Sequence, residues 1–252
     1  MNDAPSAGSA EFDLSREIVA LCMPNHRDMH ASTAVALAAT EAICLAQGVR
    51  LSILTTYGVA FVHVARCKLA AMMLASEATM MFTVDSDMAW QAQDFMRMVA
   101  LASKLGVVGA SYVMRQDEVK FVAGGMDGPP TKEAYGCVSW PTLVMGLGFT
   151  CVQRRIVEDL AAHAPKLLLP NDTSLKVVPR IFRNEERATE EATALGADLQ
   201  LFGEDVNFFH DVEALGHDVW LDPSVRLGHI GTKTYSADIR EWMQTQQQGA
   251  QA

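Results

Sequence analysis

The strongest constraint on this chain is an alternation, over its first 113 residues, of strand-length apolar runs with helix-length stretches. Residues 16–23 (REIVALCM) form an apolar run that stops at Pro24, which cannot continue a central strand. Residues 31–47 are rich in Ala and Leu and close at Gly48, as a helix does. Val49 to Thr55 reads as a strand. A helix over about 59–77 follows, with Val59, Val62, Leu69 and Met73 on an apolar stripe and Arg66 within it. Thr79 to Val84 is a third run, and it ends abruptly in Asp85-Ser86-Asp87. A helix at 91–104 and a strand at 106–113 complete the series. This order predicts right-handed βαβ units in an α/β fold, with a mixed, mostly parallel central sheet and helices on both faces. In such sheets ligands bind beyond the C-terminal strand ends, where Pro24, Asp85 and Tyr112 fall.

The second half is less regular. Gly124 to Pro130 reads as a turn-rich loop, 134–141 as a strand, and Gly146-Leu147-Gly148-Phe149 as the entry to a strand and a helix ending near His163. Residues 164–202 show weak periodicity and read as loops or a lid. Gly203-Glu204-Asp205 opens a helix over 205–215 closed by Gly216, and a short strand spans Asp218 to Leu221. We expect one domain over 15–243, in two halves divided at 115/116, with a flexible lead-in at 1–14 and a flexible tail at 244–252.

Bulk properties narrow the function. The apolar runs are all shorter than the ~18 residues a membrane span needs, and the start shows neither the basic nor the apolar region of a secretory signal. Five cysteines without a CxxC pair read as reduced, buried thiols, and the chain reads as cytoplasmic. A net charge of -10 argues against a broad nucleic-acid footprint.

Asp85-Ser86-Asp87 is the most informative triplet. Residues i and i+2 leaving a strand point the same way, so two carboxylates converge at the ligand-binding edge. Such a pair is costly without a cation between, and hard oxygen ligands suit Mg2+ or Mn2+ holding a diphosphate. The alternative is a surface loop that happens to carry two acids. Glu204 and Asp205 at a helix start are either dipole-stabilised capping acids or a general base (Asp205) with a partner (Glu204) that orients it or binds acceptor. His229, flanked by Gly228 and Gly231, is either structural or a third metal ligand. Arg66 suits a donor phosphate or a salt bridge to the Asp85 loop. Gly146 and Gly148 suit close approach of a sugar or a tight turn.

With these pieces in order, the chain resembles the GT-A glycosyltransferases, particularly small bacterial and phage proteins similar to family 2. The resemblance rests on Ala65-Arg66, MFTVDSDMAW at 81–90, GLGFTCVQRRIVEDL at 146–160 and GEDVNFFHDVEALGHDVWLDPSVRLGHIG at 203–231, within roughly 16–231. It implies a GT-A fold, with nucleotide-sugar binding in 15–115 and acceptor binding and catalysis in 116–243. It makes Asp85 and Asp87 the DxD motif for metal and donor diphosphate, with Ser86 between them. His229 becomes the C-terminal metal ligand, Asp205 the base, and Pro24 and Asn25 the border of the nucleotide. Tyr112 and Arg115 fall where relatives carry an aromatic and a basic residue facing donor or acceptor. The acidic residue that usually follows the second strand is replaced by Thr55-Thr56-Tyr57.

The implied activity is transfer of a sugar from a nucleotide-diphosphate sugar, UDP-sugar favoured, with Mn2+ or Mg2+ and inversion. The acceptor would be a glycan, a lipid-linked sugar or a modified base in phage DNA. The rival readings are a nucleotidyltransferase that makes sugar nucleotides and a non-catalytic carbohydrate-binding protein.

Overall fold

A computed structural model describes residues 12–249, apart from positions 27 and 232. Its main sheet has eight strands: β1 (Ile18–Pro24), β2 (Arg50–Thr56), β3 (Met80–Val84), β4 (Val107–Gly109), β5 (Lys132–Ala134), β6 (Cys137–Ser139), β7 (Phe149–Gln153) and β8 (Val219–Leu221). They lie in the order β2-β1-β3-β7-β4-β8-β6-β5. The helices are α1 (Ala31–Gln47), α2 (Val62–Leu74), α3 (Ala92–Leu105), α4 (Arg154–His163), α5 (Glu190–Ala194), α6 (Glu204–Ala214) and α7 (Ile239–Gly249).

Three of the seven strand pairings are parallel: β1 with β2, β1 with β3, and β4 with β8. The expected sheet is therefore present as a mixed one, and antiparallel pairings outnumber parallel ones. Two of the four antiparallel pairings come from β7, which pairs with both β3 and β4, and two from β6, which pairs with β8 and β5. β7 enters the sheet directly from the Gly146–Gly148 turn at the ligand edge, with no helical crossover to restore its direction. The halves divided at 115/116 thus interleave within one sheet.

Strand pleating sorts the core into two layers. Val19, Leu21 and Met23 of β1, with Met80, Phe82 and Val84 of β3, pack on the side of α1 and α3. Ala20, Cys22 and Met81 face α2, α4 and α6. The first layer centres on Phe82, fully buried, stacked 4.3 Å from Phe95 and edge-on to Phe149 at 4.8 Å. By the same parity Thr83 and Asp85 belong to the α2 side, and this brings Asp85 toward Arg66.

Several elements differ from the sequence reading. The strand expected over 134–141 is a hairpin, β5–β6, broken by Tyr135 (φ 53°) and Gly136 (φ 80°). Two consecutive residues with positive φ make the turn that matches strand twist. The strand expected over 106–113 ends at Gly109, which leaves Tyr112 in a loop. Residues 164–202 contain two small antiparallel pairs, Lys166–Leu168 with Val177–Pro179 and Glu185–Arg187 with Gln200–Phe202. They are anchored, not loose: Phe182 is buried and stacks 5.1 Å from Phe208, and Lys68 pairs with Asp172 at 2.6 Å. At the termini, α7 runs through Gly249, across the expected tail boundary at 244. Phe12 of the expected lead-in lies edge-on to Tyr135. Positions 1–11 and 250–252 lie outside the described residues.

Truncating Phe82 to Ala is expected to cost about 3–5 kcal/mol, because the ring is enclosed by two aromatic neighbours that cannot collapse into its space. A fall in the urea midpoint on chemical denaturation measures this.

Candidate functional site

The switch point of the sheet lies between β1 and β3, because the chain leaves β1 toward β2 and then returns past it to β3. A cleft of about 330 Å3 opens there, lined by Pro24, Asn25, Arg66, Asp85, Ser86, Asp87 and Glu204 among others. The structure thus brings together every residue that the sequence assigned to the donor, with Glu204 beside them.

Local hydrogen bonding explains the shape of the acidic triplet. Asp85 to Met88 form a turn closed by Met88 N–H donating to the Asp85 carbonyl at 3.2 Å, so the triplet is not extended as the i, i+2 argument assumed. The start of α1 pins this turn: Thr33 Oγ1 donates to the carbonyls of Ser86 (3.1 Å) and Met88 (2.7 Å). From the other side Ile230 N–H donates to the Asp87 carbonyl at 2.8 Å. Residues 88–89 pair antiparallel with Gly228–Ile230, which places His229 opposite Met88 and delivers the imidazole to Asp87. Gly228 fits between its two neighbouring strands because it has no Cβ, which would lie 3.3 Å from Ala89 Cβ on one side and 2.9 Å from Thr234 Cγ2 on the other.

Asp85 and Asp87 have different partners. Asp85 pairs with the guanidinium of Arg66, whose other nitrogen donates to Glu204 Oε1 at 3.3 Å. Arg66 is only 4% exposed. Burial opposes its charge, and the adjacent Asp85 and Glu204 outweigh that, holding its pKa above the ordinary value. Its Nε, like Asn25 Oδ1 at the end of β1, is buried with no partner among the described residues. Asp87 pairs with Arg115, and its Oδ2 lies 3.9 Å from His229 Nε2. His229 Nδ1 is 2.8 Å from the Val113 carbonyl, so Nδ1 carries the proton and donates, leaving the Nε2 lone pair facing Asp87 and Arg115.

Among the described residues no three His, Cys, Asp or Glu side chains gather as a metal site. The chemistry of the set still fits a divalent cation as a pair, a carboxylate and a neutral imidazole lone pair facing one another, with Asp85 turned to Arg66. Asp205 lies at the start of α6, where Oδ1 accepts from Val206 N–H at 2.8 Å, and its charge reaches Tyr112. The buried phenol of Tyr112 has its pKa raised by desolvation first and by Asp85 next.

Gly146 and Gly148 make room for Tyr112. A Cβ on them would lie 2.3 Å and 2.8 Å from the Tyr112 hydroxyl. The ring of Tyr112 also meets His229 edge-on at 5.0 Å. Sequence reasoning missed Asn207, fully buried, which donates to the carbonyls of Arg183 (2.9 Å) and Gly203 (3.0 Å) and so fixes the start of α6. A polar residue inside the apolar run Val206–Phe209 was the available signal.

No family model matches the chain, and no curated protein sequence does. Among solved structures, a crystal structure of GalNAc-T7 with UDP, GalNAc and Mn2+ superposes with a TM-score of 0.50 at 12% identity, over 85% of this chain and 43% of that one. The fold resembles the GT-A type. It is an α/β fold with a mixed sheet and flanking helices. The comparison shows a likeness of fold and does not reach family 2. The chain spans less than half the length of that structure. Weaker matches, each with a TM-score of 0.34, are a glycosyltransferase involved in glycosylation of the major capsid of PBCV-1 and a 4-diphosphocytidyl-2C-methyl-D-erythritol synthase from Anaerococcus prevotii. The first is 10% identical over 59% of this chain and 68% of that one. The second is 11% identical over 80% of this chain and 96% of that one.

Two outcomes test this geometry. Replacing Arg66 with Met leaves Asp85 and Glu204 facing each other without a counter-charge, and is expected to cost about 3 kcal/mol in a denaturation experiment. Nitrogen-15 NMR is expected to show His229 protonated on Nδ1 and titrating below the usual imidazole range, because burial disfavours its charged form. The sign follows from the lowered folded pKa: the stabilisation from neutral His229 is complete above about pH 6.5. It is lost as the pH falls from there through the lower folded value.

Proposed function

We propose that the protein is a metal-dependent glycosyltransferase that takes a sugar from a nucleotide-diphosphate sugar. The observation that carries the reading is the switch-point cleft, where the Asp85–Asp87 turn, Arg66 and the start of α6 meet and Asp87 faces His229. The fold likeness supports the same class.

Asp87 and His229 would hold a divalent cation, and an imidazole in the set favours Mn2+ over Mg2+. Such a cation supplies Lewis-acid neutralisation of charge on a departing nucleoside diphosphate. Pro24 and Asn25 border the nucleotide, and the unpartnered Asn25 Oδ1 is an acceptor suited to a donor group on it. Arg66 holds the carboxylates of Asp85 and Glu204 in place at the cleft wall. Asp205 accepts the proton of the acceptor hydroxyl as its oxygen attacks the anomeric carbon, a contribution of about 10²–10⁴-fold, with inversion. The donor is a UDP-sugar, and the acceptor a glycan, a lipid-linked sugar or a modified base in phage DNA. None of the helices in the described residues is long and apolar enough to cross a membrane. The five buried, unpaired thiols suit a reducing, cytoplasmic setting.

The test is nucleotide release from a panel of UDP-, GDP-, CMP- and dTDP-sugars, with Mn2+ or EDTA. One donor is expected to release nucleotide with Mn2+ and not with EDTA. Asp87→Ala is expected to lower that release at least about a hundredfold, and Asp205→Asn to lower transfer to acceptor by a similar factor. Silence across the panel, with no donor or metal raising the melting temperature, would sink the reading.

A further inference from the structure

All three side chains that the sequence marks as cation ligands already face an arginine. Asp85 faces Arg66, Asp87 faces Arg115, and His229 Nε2 accepts from Arg115 Nε at 2.9 Å. The two arginines differ in how firmly they are held. Arg66 is buried and shared with Glu204, whereas Arg115 is 46% exposed. Arg115 also sits in the loop after β4, beside a turn closed by Met114 N–H to the Lys120 carbonyl. With one nitrogen on a carboxylate and another on an imidazole lone pair, its guanidinium takes the position that a cation shared by those two groups would need. Two cations cannot share that position, since neither ligand can serve both and their charges repel.

We propose that Arg115 occupies the place of the divalent cation between Asp87 and His229 and competes with it for them. The metal binds only as Arg115 turns outward, so Arg115 sets the metal affinity of the resting protein. The site holds a built-in counter-charge: without metal, the Asp87 carboxylate and the imidazole lone pair both have a partner in Arg115. This rests on the proposed metal role of Asp87 and His229.

The test is a Mn2+ titration of the full chain without donor, following the free aquo ion by electron paramagnetic resonance, with circular dichroism melts to verify folding. Arg115→Ala is expected to bind Mn2+ about three- to tenfold more tightly than wild type, the range for losing a competing, partly exposed charged hydrogen bond. Arg115→Gln, closer in shape, serves if the Ala variant does not fold. Arg115→Lys is expected to fall back toward wild type, since it restores the charge without the fork. Asp87→Ala is expected to abolish binding in every background. A merely structural arginine predicts the reverse, weaker binding once the ligand pair is loosened. Equal or weaker binding by Arg115→Ala, with Asp87→Ala still losing it, would overturn the proposal and leave the metal reading standing. No Mn2+ binding by wild type and Arg115→Ala alike would overturn both.

Discussion

The guanidinium of Arg66 is where the two ends of the chain's chemistry are tied. It leaves α2 inside the α2-side core layer, reaches Asp85 beyond β3, and on its other edge reaches Glu204 at the start of α6. A buried arginine is tolerated because two carboxylates share it, and the carboxylates stay close to each other because the arginine lies between them. Each of the three would be expensive alone. The distance from the Asp85 turn to the start of α6 is therefore bridged by an ion triad in addition to the apolar packing of Phe208, Phe209 and Val212, which leaves that wall of the cleft polar.

What the sequence could disclose follows from how local each signal is. Helix α1 was legible from end to end, because its stop is a single Gly48 whose left-handed backbone caps the carbonyls of Cys44 and Leu45. The gathering of Pro24, Asn25, Arg66 and the Asp85–Asp87 turn at one cleft was legible because parallel strands alternating with helices fix which chain ends share an edge. The Tyr135–Gly136 break was not, since a tyrosine at positive φ carries no turn signature and the surrounding residues read as continuous strand. The purpose of Gly146 and Gly148 was hidden for another reason. Their occupant, the Tyr112 hydroxyl, comes from a loop more than thirty residues earlier, and no periodicity links the two. The charge state of the acidic turn was the least legible. Spacing placed two aspartates at the sheet edge, but their separate arginines come from positions 66 and 115. Only the folded chain shows that each acid has its own.

The polar residues away from the cleft serve alignment. Thr33 and His30 at the head of α1 both donate toward the Ser86 carbonyl, and Asn207 fastens the head of α6. Both helices therefore present their N-terminal ends to the same edge of the sheet, where the positive dipole end of α6 already faces Glu204 and Asp205 of its own first turn.

The reversed strand β7 bears on how the chain is made. β3 and β4 flank it, and neither has its inner neighbour until Phe149–Gln153 has been added to the growing polypeptide. Throughout synthesis of the intervening loop and hairpin, two apolar strands carry open backbone edges, the kind of surface that pairs with other nascent chains. Two aromatic residues of the first core layer, Phe82 and Phe95, wait over the same interval for Phe149 to close over them. Translation past Gln153 thus joins β2, β1, β3, β7 and β4 into one run, and the sheet becomes continuous with the β5–β6 hairpin only when Val219–Leu221 has supplied β8 between them.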